Sequence, residues 1–125
     1  MSLVRSASCL RVADLPGAVS GFVDRLGFDV RGVWGEPPGF AIVGRDRITV
    51  MLKATEPQAV MPARDPTGGV FDVYIYCEDA DALHGELAGR GAELMGEPED
   101  QPHGCREFFV RAPEGYVLLF GQDLN

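Results

Sequence analysis

The sequence predicts an α+β domain made of two βαβββ modules, an internal repeat whose helices pack outside curved, mostly antiparallel sheets that form a cup. Three observations carry this. The segments LRVADLPGAVSGFVDRLGF, starting at Leu10, and YIYCEDADALHGELAGRGA, starting at Tyr74, follow one plan: short strand, Asp, helical pattern, Gly stop. A shift of about 65 residues aligns Val12 with Cys77, Asp14 with Asp79, Ala18 with Leu83 and Phe22 with Leu87. Sixteen glycines and nine prolines supply the frequent turns that short strands need.

The first module, residues 1–54, opens with a strand through Leu10 and Val12. Asp14 suits an N-cap, because its carboxylate accepts from the free amides of a first helical turn. Leu15, Ala18, Val19, Phe22 and Leu26 then recur at helical spacing, and Gly27 fits a left-handed stop. Strands follow at 29–34, 39–43 and 47–53, with turns at Pro37-Pro38-Gly39 and Arg45-Asp46-Arg47. Residues 55–69, rich in Pro, Ala and Thr, read as a linker. The second module, residues 70–125, repeats the plan. VFDVYIYC is its first strand, Asp79 the cap, and Ala80, Leu83 and Leu87 the buried helical stripe before Gly91. Its later strands fall at 93–95, 106–111 and 116–121, with a turn at Pro113-Glu114-Gly115.

A chain of 125 residues with 46% hydrophobic and 24% charged content can bury its own core as one domain. No apolar run approaches the ~20 residues that span a bilayer, and no leader is expected from the opening residues. Three cysteines point to reduced thiols and a cytoplasmic location rather than a disulfide framework. A net charge of −8 makes nucleic acid and anionic membranes poor partners, and it suits a cationic ligand as well as plain solubility.

The doubled plan, with LRVADL…RLGF in one half and DADAL…RGAEL and REFFVRAPEGYVLLFG in the other, resembles the glyoxalase/bleomycin resistance protein/dioxygenase (vicinal oxygen chelate) superfamily over nearly the whole chain. The P-x-G-x-R-E-F…P-x-G pattern between Pro102 and Gly115 looks most like the bleomycin-resistance branch. The resemblance implies a ligand held in the cup and a homodimer, with module exchange between subunits left open. Metal-using members place His, Gln or Glu at four strand positions, which carry over here to Ala7, Met51, Asp72 and Leu119. Ala, Met and Leu cannot hold a hard divalent cation, and Asp72 alone falls short of three ligands. No metal, cofactor or catalytic residue is therefore expected.

Side chains alternate across a strand, so the helix-facing set fixes the set facing the cup. Leu10, Val12, Val50, Leu52, Val73 and Ile75 should pack beneath the helices. Cys9, Arg11, Thr49, Met51, Lys53, Asp72, Tyr74 and Tyr76 should face the cup. Trp34 and Phe40 flank a Pro-rich turn and offer planar faces for stacking. His103 stands where drug-binding relatives often carry Trp, and it keeps a stackable ring. The expected ligand-binding residues are Trp34, Phe40, Met51, Asp72, Tyr74, Tyr76, His103, Arg106 and Glu107. A nucleophilic Cys105–His103 pair is the sharper alternative, but residues two apart on a loop rarely hold that geometry, and no third orienting group is evident. His84, among polar residues on the helical pattern, reads as a solvated surface histidine.

The expected function is a non-metal binding protein that sequesters a mid-sized organic molecule, a cationic antibiotic being one candidate. Two alternatives stand beside it. One is a metal-dependent glyoxalase-like lyase or dioxygenase. The other is a metal-free enzyme using Arg106, Glu107 or Asp72 in acid–base roles.

Overall fold

The computed structural model describes residues 1–63 and 69–125, so part of the expected linker lies outside the described residues. The chain forms β1 (Ser8–Val12), α1 (Leu15–Leu26), β2 (Asp29–Trp34), β3 (Phe40–Arg45) and β4 (Ile48–Ala54). It continues with β5 (Val73–Tyr76), α2 (Ala80–Gly89), β6 (Glu93–Leu94), β7 (Glu99–Asp100), β8 (Cys105–Arg111) and β9 (Val117–Asp123). One sheet has the order β1-β4-β3-β2 and the other β5-β9-β8-β6, with β7 also pairing β8. The repeat is thus visible in the topology. In each sheet the first strand pairs in parallel with the last, and the other neighbours are antiparallel.

The helices begin and end where local chemistry requires. The Asp14 carboxylate accepts from the Gly17 amide at 3.1 Å, and Asp79 accepts from the Ala82 amide at 3.0 Å. Gly27 closes α1 at φ 74°, a left-handed conformation that costs a residue without Cβ little. α2 ends at Gly89 with Arg90 as its C-cap, and the left-handed residue is the one after that, Gly91. Leu15, Ala18, Phe22 and Leu26 bury one face of α1, and Ala80 and Leu87 one face of α2. One cluster of buried apolar side chains draws on both halves, from Leu10 and Val50 to Phe108 and Phe120.

Polar clasps join the halves. The Glu114 carboxylate accepts from the Ala13 and Asp14 amides at 2.6 and 2.7 Å, so the β8–β9 turn anchors the start of α1. The Arg45 guanidinium meets both Glu86 oxygens, at 2.6 and 2.9 Å, and also donates to the Leu26 carbonyl at 2.9 Å. Those bonds hold the Glu86 carboxyl below its ordinary range and raise the Arg45 value.

Two sequence expectations change. The sequence reading places no strand between 93–95 and 106–111, but Glu99 and Asp100 pair with Glu107 and Arg106 as β7. His84 is not a solvated surface residue. Its side chain is 14% exposed, its ring meets Phe108 edge-on at 5.1 Å, and Nε2 lies 3.0 Å from the Gly96 carbonyl.

Candidate functional site

Each sheet has a face turned away from its helix, and strand alternation assigns the residues on it. On β5, Val73 and Ile75 are buried in the core, while Tyr76 is 67% exposed. On β8, Phe108 and Val110 join the core, so Cys105, Glu107 and Phe109 share the opposite face. The parallel ladder sets Tyr74 beside Leu119, and the antiparallel one sets Glu107 beside Gly121.

On this open face the Tyr74 hydroxyl donates to Glu107 Oε2 at 2.6 Å, and His103 Nε2 lies 2.9 Å from the same oxygen. Glu107 is only 9% exposed, so two donors compensate a largely desolvated acceptor. Burial, then the bond to Glu107, pushes the Tyr74 phenol well above its ordinary value and keeps it a donor. Phe71 meets Tyr74 edge-on at 5.7 Å, and Tyr74 meets Tyr76 at 4.9 Å. The result is an aromatic patch with a carboxylate at its base, able to stack a planar group and attract a cation.

The first sheet offers a second group. Trp34 is 51% exposed, and its ring lies 5.7 Å from that of Phe40. Trp34 also covers Gly32, where a Cβ would run into the indole. Met51 sits between Cys9 on β1 and Ile42 on β3.

The structure brings together Tyr74, Tyr76, His103 and Glu107 in one group, and Trp34 and Phe40 in another. It does not bring Arg106 or Asp72 to Glu107. Arg106 lies on the helix side, where it donates to Asp81 at 3.0 Å and to Asp100 at 2.9 Å. The Asp72 carboxylate is spent on backbone, accepting from Val117 at 2.8 Å and from Ala63 at 3.0 and 3.1 Å. Phe71 and Gly121 lie at this patch and were not anticipated, while Cys105, weighed in the sequence only as a nucleophile paired with His103, shares the same face of β8. Gly121 is the least visible, since a Cβ there would collide with the Tyr74 ring.

Ladder register also bears on the four strand positions tied to metal use. Ala7 precedes β1, and the residue opposite Met51 is Cys9; Asp72 precedes β5, and the residue opposite Leu119 is Tyr74. Cys, Met, Tyr and Leu are no better a set for a hard divalent cation than Ala, Met, Asp and Leu. A cavity of about 520 Å³ lies elsewhere, between α1 and the Pro113–Gly115 turn, with Asp14, Gly21, Arg25, Arg111 and Glu114 in its lining. A smaller one of about 270 Å³ is lined by Cys9, Arg11, Met61, Asp72 and Tyr116, among others. Neither contains the aromatic patch, which is an open surface of the single chain. Among the described residues, no helix is long and apolar enough to cross a membrane.

Solved structures of similar shape cover nearly the whole chain. The bleomycin-binding protein from bleomycin-producing Streptomyces verticillus, solved with copper(II)-bleomycin, is 27% identical, with a TM-score of 0.70 over 100% of this chain and 98% of its own. TnmS3, an antibiotic binding protein from Streptomyces sp. CB03234, is 21% identical, with a TM-score of 0.75 over 98% of each chain. A glyoxalase-related enzyme from Clostridium phytofermentans is 16% identical, with a TM-score of 0.78 over 98% of this chain and 97% of its own. No curated protein sequence matches. The family model that matches covers residues 4–120, and with the doubled sheet topology it places the chain in the Glyoxalase/Bleomycin resistance protein/Dioxygenase superfamily.

Proposed function

We propose that the chain is a binding protein that sequesters a mid-sized organic molecule, with cationic antibiotics as the leading class, and breaks no bond in it. The observation that carries this is the aromatic patch of Phe71, Tyr74 and Tyr76 built over the nearly buried Glu107 carboxylate. Stacking holds a planar group, and the fixed negative charge favours a cation beside it. The net charge of −8 would speed the encounter. The likeness to the bleomycin-binding protein supports the same reading. The ligand needs no metal at the four strand positions that metal-using relatives employ.

Trp34 on the first open face and Tyr76 on the second lie more than half exposed among the described residues. A homodimer in which the partner's sheet covers each face would turn the two aromatic groups into a closed site, as small-molecule sites require. A cytoplasmic location fits the three free thiols.

The test is titration with bleomycin, followed by calorimetry and by Trp34 fluorescence. Saturable binding that weakens at least tenfold in Tyr74→Ala supports the reading. No response at micromolar ligand removes the glycopeptide antibiotic from the class. A hydrogen-bonded Tyr74–Glu107–His103 chain is also what a metal-free acid–base enzyme would need, so turnover of small carbonyl substrates that is abolished in Glu107→Gln would favour that second reading.

A further inference from the structure

We propose that His103, Cys105 and Glu107 form a three-ligand site for a borderline divalent transition metal of the zinc class, with a fourth position open to solvent and to the aromatic patch. Cys105 Sγ, a His103 ring nitrogen and a Glu107 carboxylate oxygen all lie within 4.8 Å of one another. Tetrahedral zinc with bonds of about 2.0–2.3 Å separates its ligand atoms by roughly 3.3–3.6 Å, so small rotations of these side chains would enclose an ion.

The backbone is built for this. Cys105 and Glu107 alternate on β8 and so share its open face. His103 is brought round to the same face by a turn in which the Gly104 amide donates to the Gln101 carbonyl at 3.0 Å and the Gln101 amide to the Cys105 carbonyl at 2.8 Å. Gly104 holds φ 90° in that turn, a conformation that side chains rarely adopt. The Gly104 carbonyl is tied in turn to the Leu124 amide at 2.9 Å. Two of the ligands are already nearly desolvated, with Cys105 at 7% and Glu107 at 9%, while the His103 side chain is 59% exposed and leaves a path for the ion.

The donor set selects the ion. Thiolate and imidazole favour zinc, cobalt(II) or copper over magnesium or calcium. Binding would form one metal–sulfur bond and release the Cys105 thiol proton to solvent. Glu107 Oε2 would exchange its hydrogen bonds for the metal, freeing the Tyr74 hydroxyl. β8 supplies none of the four positions that metal-using relatives employ, so the site is separate from theirs. It shares Glu107 with the proposed organic-ligand patch, so the metal is tested without that ligand.

The test strips the reduced protein with a chelator and titrates it with cobalt(II), then with zinc(II), in the absence of any organic ligand. One ion per chain is expected, with a thiolate-to-cobalt charge-transfer band. Cys105→Ser should abolish the band, while Cys9→Ser and Cys77→Ser should keep it. His103→Gln, at a largely exposed position that does not threaten folding, should weaken binding at least tenfold. The proposal is overturned by folded wild-type protein that gives no band, by a band that survives Cys105→Ser, or by unchanged affinity in His103→Gln. The last result decides the matter even if the cysteine variant fails to fold.

Discussion

Gly121→Ala isolates the contact on which the aromatic patch depends. Gly121 is absent from the glycines with positive φ, so alanine suits its extended backbone and should by itself gain about 0.5–1 kcal/mol. The added Cβ, however, would collide with the Tyr74 hydroxyl and come within 2.6 Å of Cζ and 3.0 Å of Cε1. Tyr74 must swing away and give up its 2.6 Å bond to Glu107. A hydrogen bond to a charged group contributes roughly 1.5–3 kcal/mol, and crowding a packed site costs about 1–3 kcal/mol. The net loss is then about 1.5–5.5 kcal/mol. For a chain of 125 residues that is a fall in Tm of roughly 6–22 °C, at about 4 °C per kcal/mol. The assay is thermal and urea unfolding of Gly121→Ala, Tyr74→Ala and the double variant. In the Tyr74→Ala background the obstacle is gone, so Gly121→Ala should be neutral or slightly stabilising. A glycine substitution equally costly in both backgrounds would refute the reasoning, because the loss would not then pass through Tyr74.

Asp72→Asn replaces a carboxylate that accepts from the Ala63 and Val117 amides, so it should cost about 1–2 kcal/mol and speed hydrogen exchange at those two amides. Unchanged exchange at Val117 would show that the anchor lies elsewhere. At alkaline pH, Tyr74 and Tyr116 both have phenols raised above the ordinary value, chiefly by burial. A phenol whose folded value is raised contributes stability that is complete below the unfolded value, near ~10, and is lost as pH rises through the folded one. Unfolding free energy should therefore decline above about pH 10, and Tyr74→Phe should flatten part of that decline.

The local parts of the fold were legible because local chemistry decides them. Asp14 and Asp79 cap their helices through amides three residues on, and Gly27 sits in the left-handed conformation that its place after Leu26 requires. Strand ends were less legible because pairing, not composition, sets them. Glu99 and Asp100 have little strand character, yet β8 offers them partners in Glu107 and Arg106. His84 was misread for a related reason. Its sequence neighbours are polar, but its ring rests on Phe108, a residue of another element.

The site divides along the same line. Alternation along a strand is a property of one segment, and it correctly separated Val73 and Ile75 from Tyr74 and Tyr76. It gives the face of a residue but not its neighbours. Arg106 carries the right charge for a ligand handle and lies one residue from Glu107, yet one residue along a strand is the opposite side of the sheet. There Asp81 and Asp100 take its guanidinium. Tyr74 shows the converse. Its hydroxyl meets Glu107 because β5 pairs in parallel with β9, and because β9 presents a glycine where the phenol crosses it. Neither condition can be read from β5. A polar group drawn from one strand and the turn before it, such as His103, Cys105 and Glu107, is therefore visible in sequence by its spacing. A group that spans strands is visible only once their register is known, and the chemistry of this face needs both kinds.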